Sequence, residues 1–254
     1  GLDSMNDVWR TQKLDLTKYM KGIEDRGWIL KSTDEIMLTV EDQTMNLQSM
    51  SSSRFVATFK EFVNKWEKNL SAISEVLDEW LRVQQKWMYL ESIFVGSDDI
   101  RMQLPEEAKR FDKIDKTFKK LMVDTAKNPN VLECCSFNGR LEMLKNLTHQ
   151  LELCQKSLTN YLLTKRNAFP RFFFISDDEL LSILGNSDPN GVQEHMLKMF
   201  DNSAELLFGK GRLKSHITAM KSSEGEQFSF HHPILPEGNV ETWMLETQKM
   251  MNTS

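Results

Sequence analysis

The residues of this chain that could do chemistry are few, and their spacing argues against it. The five histidines are His149, His195, His216, His231 and His232. None falls in an HExxH pair, and no cysteine stands at zinc spacing from one of them. His231 and His232 adjoin in strand-like sequence, where neighbouring side chains point to opposite faces and cannot readily share a metal. His195 sits between Val192 and Met196 on an expected helix, where a packed or surface imidazole is the reading. Cys134, Cys135 and Cys154 form no CxxC, so neither a disulfide framework nor a zinc site is expected, which fits a reducing cytosol. Gly209-Lys210-Gly211 lacks the G-x-x-x-x-G-K-[ST] spacing whose backbone amides cradle phosphate. There Leu206-Leu207-Phe208 is expected to end a helix, with Gly209 as its left-handed cap. The carboxylate pairs Asp98-Asp99, Glu106-Glu107 and Asp177-Asp178 fall at helix starts or in loops, where they complement the helix dipole. No GxSxG elbow or supported Cys–His pair is present. The sequence therefore assigns no catalytic, cofactor-binding or metal-ligating residue.

Composition narrows the classes further. The chain has 254 residues and a net charge of −5, which argues against a nucleic-acid footprint, since that would need a basic face. It contains no signal peptide and no apolar span of about 20 residues, so neither membrane insertion nor glycosylation of its N-x-[ST] sequons is expected. It opens on Gly1-Leu2 without an initiator methionine and reads as a segment of a longer protein.

The elements are set by periodicity. Residues 7–40 are ambiguous: Leu14, Leu16 and Tyr19 alternate like a short strand, and Gly22 and Gly27 punctuate the chain before Trp28-Ile29-Leu30. From Ser53, the series Phe59, Phe62, Trp66, Leu70, Ile73, Leu77, Trp80, Gln84, Trp87 and Phe94 keeps spacings of mostly three and four. That predicts a helix of about 40 residues, or about 60 Å. Pro105 begins a second helix with Glu106 and Glu107 in its first turn, and Asn128-Pro129-Asn130 ends it. Leu141 to Leu162 mark a third.

A short helix over 177–184 is capped by Ser176, with Glu179 placed to reach back in a capping box and Gly185 as a left-handed stop. Another helix is expected from Val192 to Phe200. Ile217–Met220 and Phe228–His232 read as a β-hairpin around Ser222–Glu226, and Asn239 can cap a last helix holding Val240, Trp243, Met244, Thr247 and Met251. The fold class is thus mainly α: an elongated rod of antiparallel long-helix bundles with a small β-hairpin near the C-terminus. The fifteen methionines fall largely on the helical stripes and serve as core filling. Four phenylalanines in six residues, Phe169 and Phe172–Phe174, exceed what one local helix can bury, so tight packing or an outside contact is expected.

Several stretches carry a resemblance. Phe169-Pro170-Arg171-Phe172-Phe173-Phe174-Ile175-Ser176-Asp177-Asp178-Glu179-Leu180-Leu181-Ser182-Ile183-Leu184-Gly185 resembles a signature of the dynein heavy chain linker. Trp80 to Phe94 is similar to the family's W-x-x-x-Q-x-x-W-x-Y-L-E-x-I-F segment, and Asp99 to Glu107 to its D-I-x-x-Q-L-P-x-E continuation. Cys154–Leu158 with Tyr161-Leu162 and Lys165-Arg166, then Ser222–Glu226 and Val240–Met244, come in the same order. The Phe-Phe-Phe-Ile-Ser-Asp-Asp wording resembles axonemal chains, of inner-arm type.

The resemblance implies a mechanical linker, a lever lying across the AAA+ ring of the same heavy chain. It implies a cytoskeletal setting in the cytoplasm, in the axoneme of a cilium or flagellum. ATP and magnesium would be held by ring modules outside this chain, and the microtubule reached only through other domains. Four segments are expected: a mixed N-terminal part (1–52), a first long-helix bundle (53–138), a second helical part carrying the signature (139–213), and a hairpin with the start of the next helical part (214–254). A lever needs compliance at one joint. Gly96–Leu104, Asn128–Gly139 and Gly185–Gly191 are the candidates, and Gly185, Pro189 and Gly191 mark the favoured one. Contacts with the ring or a neighbouring domain are expected from Phe172, Phe173, Asp177, Asp178, Glu224 and Glu226. The rival reading is a static helical scaffold or adaptor without a motor cycle.

Overall fold

A computed structural model describes residues 2–54 and 56–253, and they are mainly helical. They fall into two compact units, one of residues 1–92 and 109–154, the other of 93–108 and 155–254.

The first unit begins with α1 (Leu2–Thr11) and an antiparallel hairpin, β1 (Leu16–Lys21) and β2 (Glu24–Leu30). This resolves the ambiguous N-terminal stretch: the Leu16–Tyr19 alternation is a strand, and Gly22 (φ 60) turns the chain into its partner. Next come α2 (Asp34–Ser51) and α3 (Val56–Phe94), whose 39 residues match the longest stripe. Trp66, Trp80 and Trp87 follow one another at about four and then two turns on one face of α3, and all three are buried. The second unit supplies α4 (Asp98–Gln103), where Ser97 Oγ accepts the Ile100 amide as its cap. The next helix, α5 (Pro105–Lys127), packs its Phe111, Phe118 and Met122 into the first unit's core. Phe118 stands 4.7 Å from the Trp87 ring, and Trp80 Nε1 donates to Met122 Sδ at 3.3 Å. A short α6 (Val131–Ser136) occupies the expected 128–139 break, and its loop is stitched to the N-terminal segment by Leu14 N to Pro129 O at 2.7 Å.

Two residues of α3, seven apart, hold the N-terminal hairpin. Gln84 accepts the Leu30 amide at 2.7 Å and donates to the Leu30 carbonyl at 2.9 Å. Glu91, fully buried, pairs with Arg26 and lies 3.4 Å from Lys21 Nζ. Both belong to the Trp80–Phe94 signature, so part of that wording is explained by attachment of a β-hairpin.

The third stripe is α7 (Arg140–Ala168), which serves the first unit up to Cys154 and the second from Gln155. In the second unit a 3-10 turn (Pro170–Phe174) leads to α8 (Asp177–Leu184), at the expected bounds. The helix expected over 192–200 is instead a 3-10 stretch (Pro189–His195) and the single turn α9 (Met196–Met199). Pro189 and Gly191 tighten the chain before regular α geometry can begin. The helix end expected at Leu206–Phe208 is a strand, β3 (Ser203–Phe208), because its residues pair with a neighbour. It joins β4 (Ile217–Ser222) and β5 (Gln227–Ile234) in the order β3-β4-β5. The expected hairpin is thus the inner and one outer strand of a three-stranded sheet. Last, α10 (Val240–Thr253) buries Trp243, Met244 and Thr247. Among the described residues no helix is long and apolar enough to cross a membrane.

Candidate functional site

The signature builds a braced turn in the second unit. At the end of α7, Arg166 donates from Nε to the Phe172 carbonyl (3.3 Å) and from Nη2 to the Ile175 carbonyl (3.1 Å). Its Nη1 pairs with Asp177 Oδ1 at 2.6 Å. One guanidinium therefore fixes both the aromatic turn and the start of α8. Phe169 and Phe172 pack edge to face at 4.8 Å and are fully buried. Phe172 thus has no free face for an outside partner, whereas Phe173 and Phe174 stand 55% and 65% exposed. Arg171 donates to the Met199 carbonyl at 2.9 Å and covers the Phe200 ring, tying the turn to α9.

Ser176 caps α8 as expected, its Oγ accepting the Glu179 amide at 3.2 Å. The other half of the capping box is absent, because Glu179 turns to stronger partners. Its Oε1 meets Lys198 Nζ at 2.6 Å, and its Oε2 lies 3.3 Å from His195 Nδ1. Lys198, through its hydrogen bond, holds the Glu179 carboxyl below the usual range, with smaller help from His195 and Ser176. A group whose folded pKa is depressed stabilises above the unfolded value and loses that contribution as pH falls through the folded one. Lowering the pH through the folded-state pKa of Glu179 should therefore narrow the melting-temperature gap between the wild type and Glu179→Gln.

Gly185 ends α8 at φ −87 and ψ 0, so the left-handed stop expected there does not form. Glycine is needed for closeness: a Cβ would lie 2.8 Å from Ser97 Oγ and 3.0 Å from the Leu181 carbonyl oxygen. Gly185→Ala should accordingly cost about 1–3 kcal/mol by overpacking. In a Ser97→Ala background the same change should cost less, as paired thermal melts would show. At Gly191 the nearest atom to an added Cβ is Nδ2 of the exposed Asn186, at 2.8 Å, whose Oδ1 accepts the Asp188 amide at 2.9 Å. The loop between is turned by Asp188, whose Oδ1 accepts the Asn190 amide at 3.0 Å. Beyond it, Gln193 accepts the Leu206 amide at 2.8 Å and donates to the Leu206 carbonyl at 2.7 Å.

A cleft of about 370 Å³ opens beside this loop. Its wall includes Asp99 and Gln103 of α4, Lys165 of α7, Asp188 and Pro189. The segment Pro236–Glu241 and Trp243 complete it, and Lys165 pairs with Glu241. Glu224 and Glu226 are far off in sequence, exposed at the β4–β5 turn where Gly225 takes φ 94. The structure thus joins Asp177, Asp178 and the 185–191 loop on consecutive elements and leaves Glu224 and Glu226 on a hairpin tip. The arrangement contains no nucleophile–base pair and, among the described residues, no group of three metal-ligating side chains.

Sequence reasoning passed over Arg166, Lys198, Gln193 and Glu241. Arg166 and Glu241 stood inside family-like stretches, but their partners lie 11 and 76 residues away, which no local pattern shows.

The family described as dynein heavy chain, N-terminal region 2, matches residues 1–254. The chain belongs to the dynein heavy chain family. It is 60% identical over 245 residues to the Dynein-1-alpha heavy chain, flagellar inner arm I1 complex, of Chlamydomonas reinhardtii, covering 96% of this chain and 5% of that one. It is 57% identical over 239 residues to human Dynein axonemal heavy chain 10, covering 94% and 5%. Against rat Dynein axonemal heavy chain 1 the identity is 42% over 255 residues, covering 100% and 6%. The chain therefore spans about one-twentieth of the length of these curated relatives. Within a dynein heavy chain region, the braced Arg166–Asp177 turn and the α8 end seated on Ser97 are the local architecture that the signature wording encodes.

Proposed function

We propose that this chain is a mechanical linker of an axonemal dynein heavy chain, passing ATP-driven changes of the adjacent AAA+ ring into a power stroke on the microtubules of a cilium or flagellum. The observation that carries the reading is the braced turn of the family signature. A stiff, capped helix (α8) ends on a glycine seated against α4, and a short proline- and glycine-bearing loop comes next. In this reading the Gly185–Gly191 loop is the compliant joint, because its ends are anchored and its middle is exposed. Phe173, Phe174 and Asp178 are the exposed groups through which the signature would touch the ring. The ring modules, outside this chain, hold ATP and magnesium, and other domains reach the microtubule.

Gly191→Ala tests the joint, since the added Cβ would press on the exposed side chain of Asn186 and on no backbone atom. Placed in a whole axonemal heavy chain, it should slow microtubule gliding several-fold while basal ATPase is retained. Unchanged gliding would remove this loop as the joint. Loss of ATPase and gliding together would indicate misfolding. The static-scaffold reading is not favoured: wording shared along the whole chain with axonemal heavy chains gives a scaffold no explanation.

A further inference from the structure

We propose that the outward face of α5 docks an acidic polypeptide segment, an extended run rich in glutamate or aspartate. Lys109, Lys113, Lys116 and Lys120 follow one another along this helix at spacings of four, three and four, and all are exposed. At about 3.6 residues per turn they fall within about 60° of the helix's circumference, in a row about 16 Å long. The row lies opposite Phe111, Ile114, Phe118 and Met122, which are buried in the first unit's core. None of the four lysines has an anionic partner among the described residues, whereas Lys119, to one side, is committed to Asp115 at 3.1 Å. The carboxylates bordering the row are Glu106, Asp112 and Asp124, of which Asp112 already has a partner.

A second observation is that the helix holds this row against its own repulsion. Like charges three and four residues apart destabilise a helix, and carboxylates alternating with the lysines would have turned the same positions into ion pairs. Lys113 has no carboxylate three or four residues away in either direction: its neighbours there are Lys109, Arg110, Lys116 and Thr117. Between Lys109 and Lys120 six cationic side chains stand against two carboxylates, in a chain of net charge −5. The local excess is opposite in sign to the molecule, so a negatively charged partner is drawn to this face and repelled elsewhere. A lipid surface is the poorer fit, because the apolar side of α5 is already buried in the core. Nucleic acid is poorer too, because this face carries no aromatic side chain on which a base could stack. An extended acidic segment repeats its side chains on one face every ~7 Å, close to the ~6 Å between lysines four apart on a helix.

The test is the fluorescence anisotropy of a decaglutamate peptide carrying an uncharged dye, titrated with the chain at low salt. Decaglutamine with the same dye is the control. Decaglutamate should bind saturably and lose affinity as salt is raised, and decaglutamine should not bind. The triple variant Lys113→Gln, Lys116→Gln, Lys120→Gln should weaken binding about tenfold, with a melting temperature no lower than the wild type's because repulsion is relieved. Lys113→Arg, Lys116→Arg, Lys120→Arg should keep the affinity. The same loss of charge from exposed positions of α3, in Lys60→Gln, Lys65→Gln, Lys68→Gln, should leave it within about twofold. No saturable binding, full affinity in the α5 glutamine variant, or equal weakening by the α3 variant would each overturn the assignment. So would tighter binding to phosphatidylserine vesicles or to a single-stranded oligonucleotide than to decaglutamate.

Discussion

Glu91→Ala should be among the most damaging single changes in the first unit, at about 3–5 kcal/mol, because it strands buried charge. Arg26 is 14% exposed in its side chain and loses the carboxylate that it faces; Lys21 loses its partner too. Truncation also opens a void on a helix face that is otherwise closed. The expected pattern is local before it is global. Amide protection should fall first in β1 and β2, since Glu91 anchors the hairpin to α3 through Arg26 and Lys21. A Glu91→Gln variant keeps the volume and one acceptor and should lose less. Replacement of both Glu91 and Arg26 by apolar residues of similar size should recover a large part of the loss, because a well-packed apolar pair needs no desolvated ions. Hydrogen exchange on the four proteins would settle it; equal protection in Glu91→Ala and the wild type would contradict the role given to this residue.

Trp87→Ala should cost about 3–5 kcal/mol for a different reason. The indole is fully buried, 4.7 Å from Phe118 and 5.6 Å, edge on, from Tyr19. It joins α3, α5 and the N-terminal hairpin in one aromatic stack, so its removal leaves a cavity whose three walls belong to separate elements. Its Nε1 also donates to Asp115 Oδ1 at 2.8 Å. Trp87→Phe keeps an aromatic ring in the stack but drops that hydrogen bond and leaves a smaller void, for which about 1–3 kcal/mol is expected. Urea melts followed by Trp-independent circular dichroism should therefore rank the wild type above Trp87→Phe, and Trp87→Phe well above Trp87→Ala. A Phe variant as unstable as the Ala variant would contradict the weight given to the aromatic stack.

The long helices were legible because their burial is one-sided and periodic. Phe111, Ile114, Phe118 and Met122, or Leu144, Leu151 and Leu158, repeat at helical spacing and are buried in the fold. Asp177–Leu184 was legible to the residue because Ser176 is a local cap. Misreadings came where a distant partner overrode a local preference. Glu179 left its reciprocal cap for Lys198, 19 residues on. Leu206–Phe208 became a strand because β4 lies beside it, a fact absent from the tripeptide itself. Gly185 looked like a left-handed stop and is a close-packing glycine, since only Ser97, 88 residues away, shows the difference. The cleft beside the 185–191 loop was invisible for the same reason: Asp99, Lys165, Asp188 and Glu237 meet only in three dimensions.

The glutamine forks bear on how such a chain survives its own synthesis. A strand edge with free amides and carbonyls is a template for any other extended segment, including those still leaving the ribosome. Gln84 fills that role at Leu30, and Gln193 fills it at Leu206, each amide side chain standing where a foreign strand would begin to pair. Two side chains thus stand where other extended stretches would otherwise begin to pair with this one.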